Sequence, residues 1–165
     1  MNIKPLCSIR GVSLGLAISF LLGVSWTTVS AASWSGIEPF KSTRTDVEKA
    51  LGQPIGDSGA DGGLRFKVSG GTVTVYFVGP RLIQTKKLQP KLEGTVLEVI
   101  LQHDNSSDTP ESLGLKDKKD FERDAGTGGE IYVNLKDGIS YTFLDGKLKT
   151  TRYMPSNEQF SKARK

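Results

Sequence analysis

Cysteine and histidine are almost missing from this chain: its 165 residues include one of each, Cys7 and His103. No disulfide can form within it, and a zinc site, which needs several Cys or His ligands, has a single candidate once Cys7 is removed by the processing argued below. Acidic residues are absent before Glu38. Long apolar runs are lacking too. The one at residues 12–26 falls short of the roughly 20 residues a spanning helix needs, and no charged stop follows it. Nor is there a strong excess of one charge: 22 Lys and Arg stand against 18 Asp and Glu. That balance carries no signature of nucleic-acid or membrane binding.

What is present begins with an address. Lys4 and Arg10 precede the apolar run, and small residues lead to Ala31 and Ala32, the pattern of a cleaved export signal over residues 1–32. Cleavage removes Cys7 and leaves 133 residues with 20 basic against 18 acidic side chains. The expected product is a periplasmic or secreted protein with no stable membrane span, stabilised by its core alone. Its length suits one domain, placed at residues 33–155, with a polar, basic tail at 156–165 expected to fray.

The clearest local signal is a short helix over residues 43–52. Thr43 is a capping residue, Asp46 places negative charge in the first turn, and Val47, Ala50 and Leu51 fall on one face. Gly52 and Pro54 end it. So short a helix needs a partner surface. Trp34, Ile37 and Phe40 precede it, and Ile37 or Phe40 is expected to pack back on it as a staple.

Strands follow. Leu64, Phe66 and Val68 alternate with Arg65 and Lys67, Ser69-Gly70-Gly71 is turn material, and Val73, Val75 and Phe77 alternate with threonines and Tyr76. A third run, 95–102, is apolar on both faces and reads as central. Two Asp-Gly pairs, 137–138 and 145–146, separate three more runs, which makes a meander. Ile131, Val133 and Leu135 are expected to share a face with Ile139, Tyr141 and Phe143, and the 147–154 run, with Lys149 and Arg152, suits an edge. Residues 120–126 echo 46–52, which suggests a second helix and a tandem helix-plus-meander repeat. The fold class expected is therefore α+β: an antiparallel sheet of about six strands in two meanders, with one or two short helices on one face. A curved sheet wrapped on a helix, as in cystatin-like folds, is the second choice.

The stretch Ser42-Thr43-Arg44-x-Asp46-Val47-Glu48-x-x-Leu51-Gly52-x-Pro54, with Asp137-Gly138-Ile139-Ser140 and Tyr153-Met154-Pro155-Ser156, resembles a group of uncharacterised exported bacterial proteins. A capped helix ending in Leu-Gly-x-Pro before a meander is also similar, more distantly, to the β-lactamase-inhibitor-like fold shared with the small lipoprotein of the outer-membrane β-barrel assembly machinery. That resemblance implies binding and not catalysis. Two departures stand out. No lipid-acceptor cysteine follows the apolar run, and the disulfides of the secreted inhibitors cannot form here.

No residue is assigned as catalytic, metal-ligating or cofactor-binding, and no cofactor is expected. His103 lies beside Asp104, Ser106 and Ser107, but neighbours in sequence rarely assemble a triad, and no nucleophile-elbow glycines surround the serines. Asp57 with Asp61, and Asp104 with Asp108, lack a full calcium loop. Glu93 and Glu98 would serve a glycosidase only at the right separation. The long connection at residues 79–94 carries Arg81, Lys86, Lys87 and Lys91 against Glu93, and these four cations form a candidate contact loop for an acidic partner. The expectation is an exported, non-catalytic protein-binding module. A carbohydrate or cell-wall ligand-binding protein or hydrolase, and an inhibitor of a secreted enzyme, are the alternatives.

Overall fold

The computed structural model describes residues 32–57, 62–126 and 128–165, so the export-signal reading of residues 1–32 falls outside the described residues except for Ala32. Helix α1 (Arg44–Leu51) forms where expected. Its start is a reciprocal box: the Asp46 N–H donates to the Thr43 hydroxyl at 3.4 Å, and the Thr43 N–H donates to the Asp46 carboxylate at 2.8 Å. That backbone bond and the Thr43 hydroxyl hold the Asp46 carboxyl below its ordinary range. Val47 is fully buried, but Ala50 is exposed and Leu51 half-buried, so the buried stripe is narrower than the spacing predicts.

The strands are β1 (Gly56–Asp57), β2 (Leu64–Val68), β3 (Gly71–Phe77), β4 (Val96–His103), β5 (Glu122–Gly126), β6 (Gly129–Asn134), β7 (Ile139–Leu144) and β8 (Lys147–Tyr153). They form one antiparallel sheet in the order β1-β2-β3-β4-β8-β7-β6-β5. Two meanders thus meet through their last strands. The α+β class and the two-meander plan are as expected, with slightly more strands because β1 and β5 lacked a clear alternating signal.

Four expectations are corrected. The 147–154 run is not an edge: β8 lies between β4 and β7, and Leu148 and Thr151 are buried. Its charge marks the open face of the sheet, where Arg152 pairs with Glu98 at 3.5 Å. Residues 120–126 form no second helix, since Glu122–Gly126 pairs with β6 as strand β5; Asp124 would have faced a helix interior, whereas every residue of the strand is exposed. The expected helix-plus-meander repeat is therefore not formed, since a helix precedes only the first meander. Ile131 and Val133 sit opposite Thr142 and Ser140, while Tyr132 and Glu130 sit opposite Tyr141 and Phe143. The connection there spans four residues, 135–138, closed by the Asn134 side chain on Asp137, and a one-residue change in pairing moves every side chain to the other face. The tail does not fray, as described below.

One face of the sheet is covered in two patches. Ile37, Val47, Phe66, Val73, Val75 and Val99 make the first, under α1, with Trp34 and Leu51 at its margin. Ile37 is thus the residue that packs back on the helix. Tyr132, Phe143 and Leu148 make the second, covered by Leu113, Leu115 and Phe121 from the irregular 104–121 segment. At the start of β4 an irregularity skips Leu97, because Tyr76 pairs with Glu98 and Phe77 with Val96. Val96 therefore joins Val99 in the first patch, and Leu97 is sent to a third cluster. That cluster positions the candidate site.

Candidate binding surface

The 79–94 connection is not an open loop. Gly79 and Pro80 start helix α2 (Pro80–Lys86), since proline's fixed φ suits a first helical position, and Lys87 ends it in the left-handed conformation at φ 53°. A 3-10 turn, Pro90–Leu92, follows. Leu88, between them, is completely buried.

Its cover is the tail. Ser156 caps helix α3 (Asn157–Ala163): the Gln159 N–H donates to the Ser156 hydroxyl at 3.2 Å, and the Ser156 N–H donates to Gln159 Oε1 at 2.9 Å. Phe160 and Ala163, one turn apart, pack on the cluster of Val78, Leu88 and Leu92 with Phe40, Leu82, Ile83 and Leu97. Beyond α3 the chain runs antiparallel to 87–89. The Gln89 N–H donates to the Ala163 carbonyl at 2.8 Å and the Lys165 N–H to the Lys87 carbonyl at 2.9 Å. The Gln89 side-chain amide adds a bond to the Lys162 carbonyl at 2.7 Å.

Phe40 completes the corner. Its N–H donates to the Val96 carbonyl at 2.7 Å, and its ring meets Phe160 edge-on with centroids 5.0 Å apart. Its backbone lies at φ 61°, a conformation that costs a bulky residue on the order of 1–3 kcal/mol and is held here by those contacts.

Between these segments runs a groove of about 270 Å³. Pro39, Phe40, Leu92 and Ala163 supply its apolar lining, Gln89 and Gln159 its polar walls, and Lys41, Lys91 and Lys162 its cationic margin. Lys41 pairs with Glu38 at 2.9 Å and Lys162 with Glu158 at 2.6 Å. Among the described residues no carboxylate lies within ion-pair distance of Arg81, Lys86, Lys87 or Lys91. All four are exposed. The fold brings Lys91 to Lys41 and Lys162 at the groove, and pairs the backbone at Lys87 and Leu88 with that at Arg164 and Lys165, residues that sequence reasoning left out. A signal for α3 was present in Ser156-x-x-Gln159 with Phe160 and Ala163 three apart; nothing local placed Lys41 beside it.

This gathering separates charge that is balanced along the chain. The segments 38–41, 79–94 and 156–165 hold eight basic against three acidic side chains, which leaves twelve against fifteen in the rest of residues 33–165. The open sheet face is different. It exposes Ile131 and Leu144, but its charges alternate in sign, as in the Glu98–Arg152 pair.

Most of the residues weighed for chemistry are engaged elsewhere. His103 Nε2 lies 2.9 Å from the Thr151 hydroxyl, and burial pushes its imidazole below the ordinary value against an opposing pull from Asp108. Ser106 donates to Asp108 at 3.0 Å, and Asp104 pairs with Lys67 at 2.7 Å. No serine–histidine–aspartate relay is assembled from them. Glu98 faces Arg152, while Glu93 is exposed beyond the 3-10 turn. Asp61 lies outside the described residues. Among the described residues no three His, Cys, Asp or Glu gather as a metal site would require, and no helix is long and apolar enough to cross a membrane.

No family model matches the sequence, and no curated protein or solved structure matches it either.

Proposed function

We propose that the mature chain is an exported, non-catalytic protein-binding module that holds its partner on the cationic surface formed by α2, the 3-10 turn and α3. The observation that carries this reading is an apolar groove at which three distant segments bring Lys41, Lys91 and Lys162 together, in segments that hold eight basic against three acidic side chains. Cations on an interface margin steer an acidic partner and set its register, while desolvated apolar contacts at the centre supply most of the affinity. The groove walls are tied by backbone and amide bonds before any partner arrives, so little ordering cost remains at binding.

The test is crosslinked capture in the source cell by tagged residues 33–165, repeated with Lys86, Lys87 and Lys91 each changed to Glu. Capture of a reproducible partner should be abolished with the melting temperature nearly unchanged. Equal capture by the reversed variant would sink the reading. Export is checked by N-terminal mass spectrometry of the full-length product, which should begin at residue 32 or 33.

A further inference from the structure

Resting on that reading, we infer that the groove takes an extended acidic peptide segment of the partner, with one apolar side chain seated on Phe40, Leu92 and Ala163 and flanking carboxylates at Lys41, Lys91 and Lys162. Three observations carry this. At about 270 Å³ the groove lies below the roughly 300–1,000 Å³ of sites that engulf a whole small molecule, so it accepts one anchor side chain. Its lining is apolar and its margin cationic, and the margin lysines come from three separate segments. In an extended chain successive side chains point to opposite sides, so an anchor turned down leaves its neighbours free to reach such a margin. A single phosphate would need converging donors instead.

The lysine pairings fit this assignment. Lys41 and Lys162 are held by Glu38 and Glu158 in exposed local pairs, which contribute little and exchange readily for a partner's carboxylate. Lys91 has no such competitor among the described residues. Gln159 is committed at both ends, to Ser156 and to the Pro39 carbonyl, so it fixes the wall and does not read the ligand.

The experiment is fluorescence anisotropy of the chain from residue 33 with a labelled seven-residue peptide of aspartate and glutamate around one central phenylalanine. The comparison peptide replaces that phenylalanine with serine, and vesicles of phosphatidylglycerol form a third arm. The phenylalanine peptide should bind at least tenfold more tightly than the serine peptide, and Lys41→Glu with Lys91→Glu should weaken it at least tenfold while circular dichroism stays the same. Equal binding of the two peptides would overturn the anchor, and binding to vesicles with neither peptide bound would overturn the peptide assignment. If neither peptide binds but the charge-reversed variant still loses its captured partner, the inference falls and the proposed function stands. If capture is also unaffected, both fall.

Discussion

The Gln159 side-chain amide donates to the Pro39 carbonyl at 3.1 Å, joining residues 120 positions apart. The same side chain closes the cap of α3 through Ser156, so one residue both caps the tail helix and ties it to the segment before α1. Gln159→Ala should cost about 1–2 kcal/mol, two ordinary hydrogen bonds, and Ser156→Ala about 1 kcal/mol, the usual value of a cap. Urea unfolding of both variants measures the difference, which belongs to the tie across the corner.

Leu88 is completely buried between α2 and α3. Leu88→Ala should destabilise the domain by about 2–5 kcal/mol, the range for emptying a core leucine site. Loss should be local first. Hydrogen exchange at the Gln89 and Lys165 amides, whose acceptors lie across this contact, should accelerate before that of β3 and β4.

Gly138 and Gly146 both lie near φ 70°, yet their surroundings differ. A Cβ on Gly146 meets nothing, whereas one on Gly138 would overlap the Met154 carbonyl oxygen. Gly146→Ala should cost about 1–2 kcal/mol from its left-handed backbone alone. Gly138→Ala should cost clearly more and weaken the Met154 N–H bond to the Gly138 carbonyl, now 2.8 Å. Thermal unfolding of the two variants separates backbone strain from steric overlap.

The Lys116 ammonium beside Glu111 holds that carboxyl at about 2, well below the ordinary range. A carboxyl lowered on folding adds stability that is complete above its unfolded value and is lost as pH falls through the folded one, here between about 4.5 and about 2. The Glu111 midpoint followed by NMR should lie near 2 in low salt. It should rise with ionic strength, because the pair is exposed and screened, and rise in Lys116→Ala while staying below the ordinary range, because the backbone and the Thr109 hydroxyl still hold the carboxylate.

Much of the sheet was legible. At Asp145-Gly146 both turn residues take positive φ and Leu144 pairs with Lys147, the two-residue hairpin that Asp-Gly specifies. At Asp137-Gly138 the same dipeptide lies inside a four-residue connection, because the Asn134 side chain closes a wider turn. Register was therefore readable in one hairpin and not in the other. Strand β5 was hidden because all five of its residues are exposed and none alternates. Its chemistry suits an edge, where charge discourages further pairing, and its echo of residues 46–52 points to a helix that Asp124 does not fit.

The candidate site was half legible. Arg81, Lys86, Lys87 and Lys91 were visible as a charge run, but a charge run alone reads as solvated connection. Leu88 and Leu92 were there to be buried, and what would bury them lay some seventy residues away, in Phe160 and Ala163.

From the sequence alone come the strands with alternating faces, the capped helix α1 and the class of fold, because each depends on spacings of two to four residues that a backbone imposes locally. Tertiary structure decided the rest: the joining of the meanders through β4 and β8, the docking of α3, and the groove with its cationic margin. Those depend on which buried surfaces find one another across the chain. A charge balance of 22 against 18 along the sequence carries no trace of a groove that brings Lys41, Lys91 and Lys162 together.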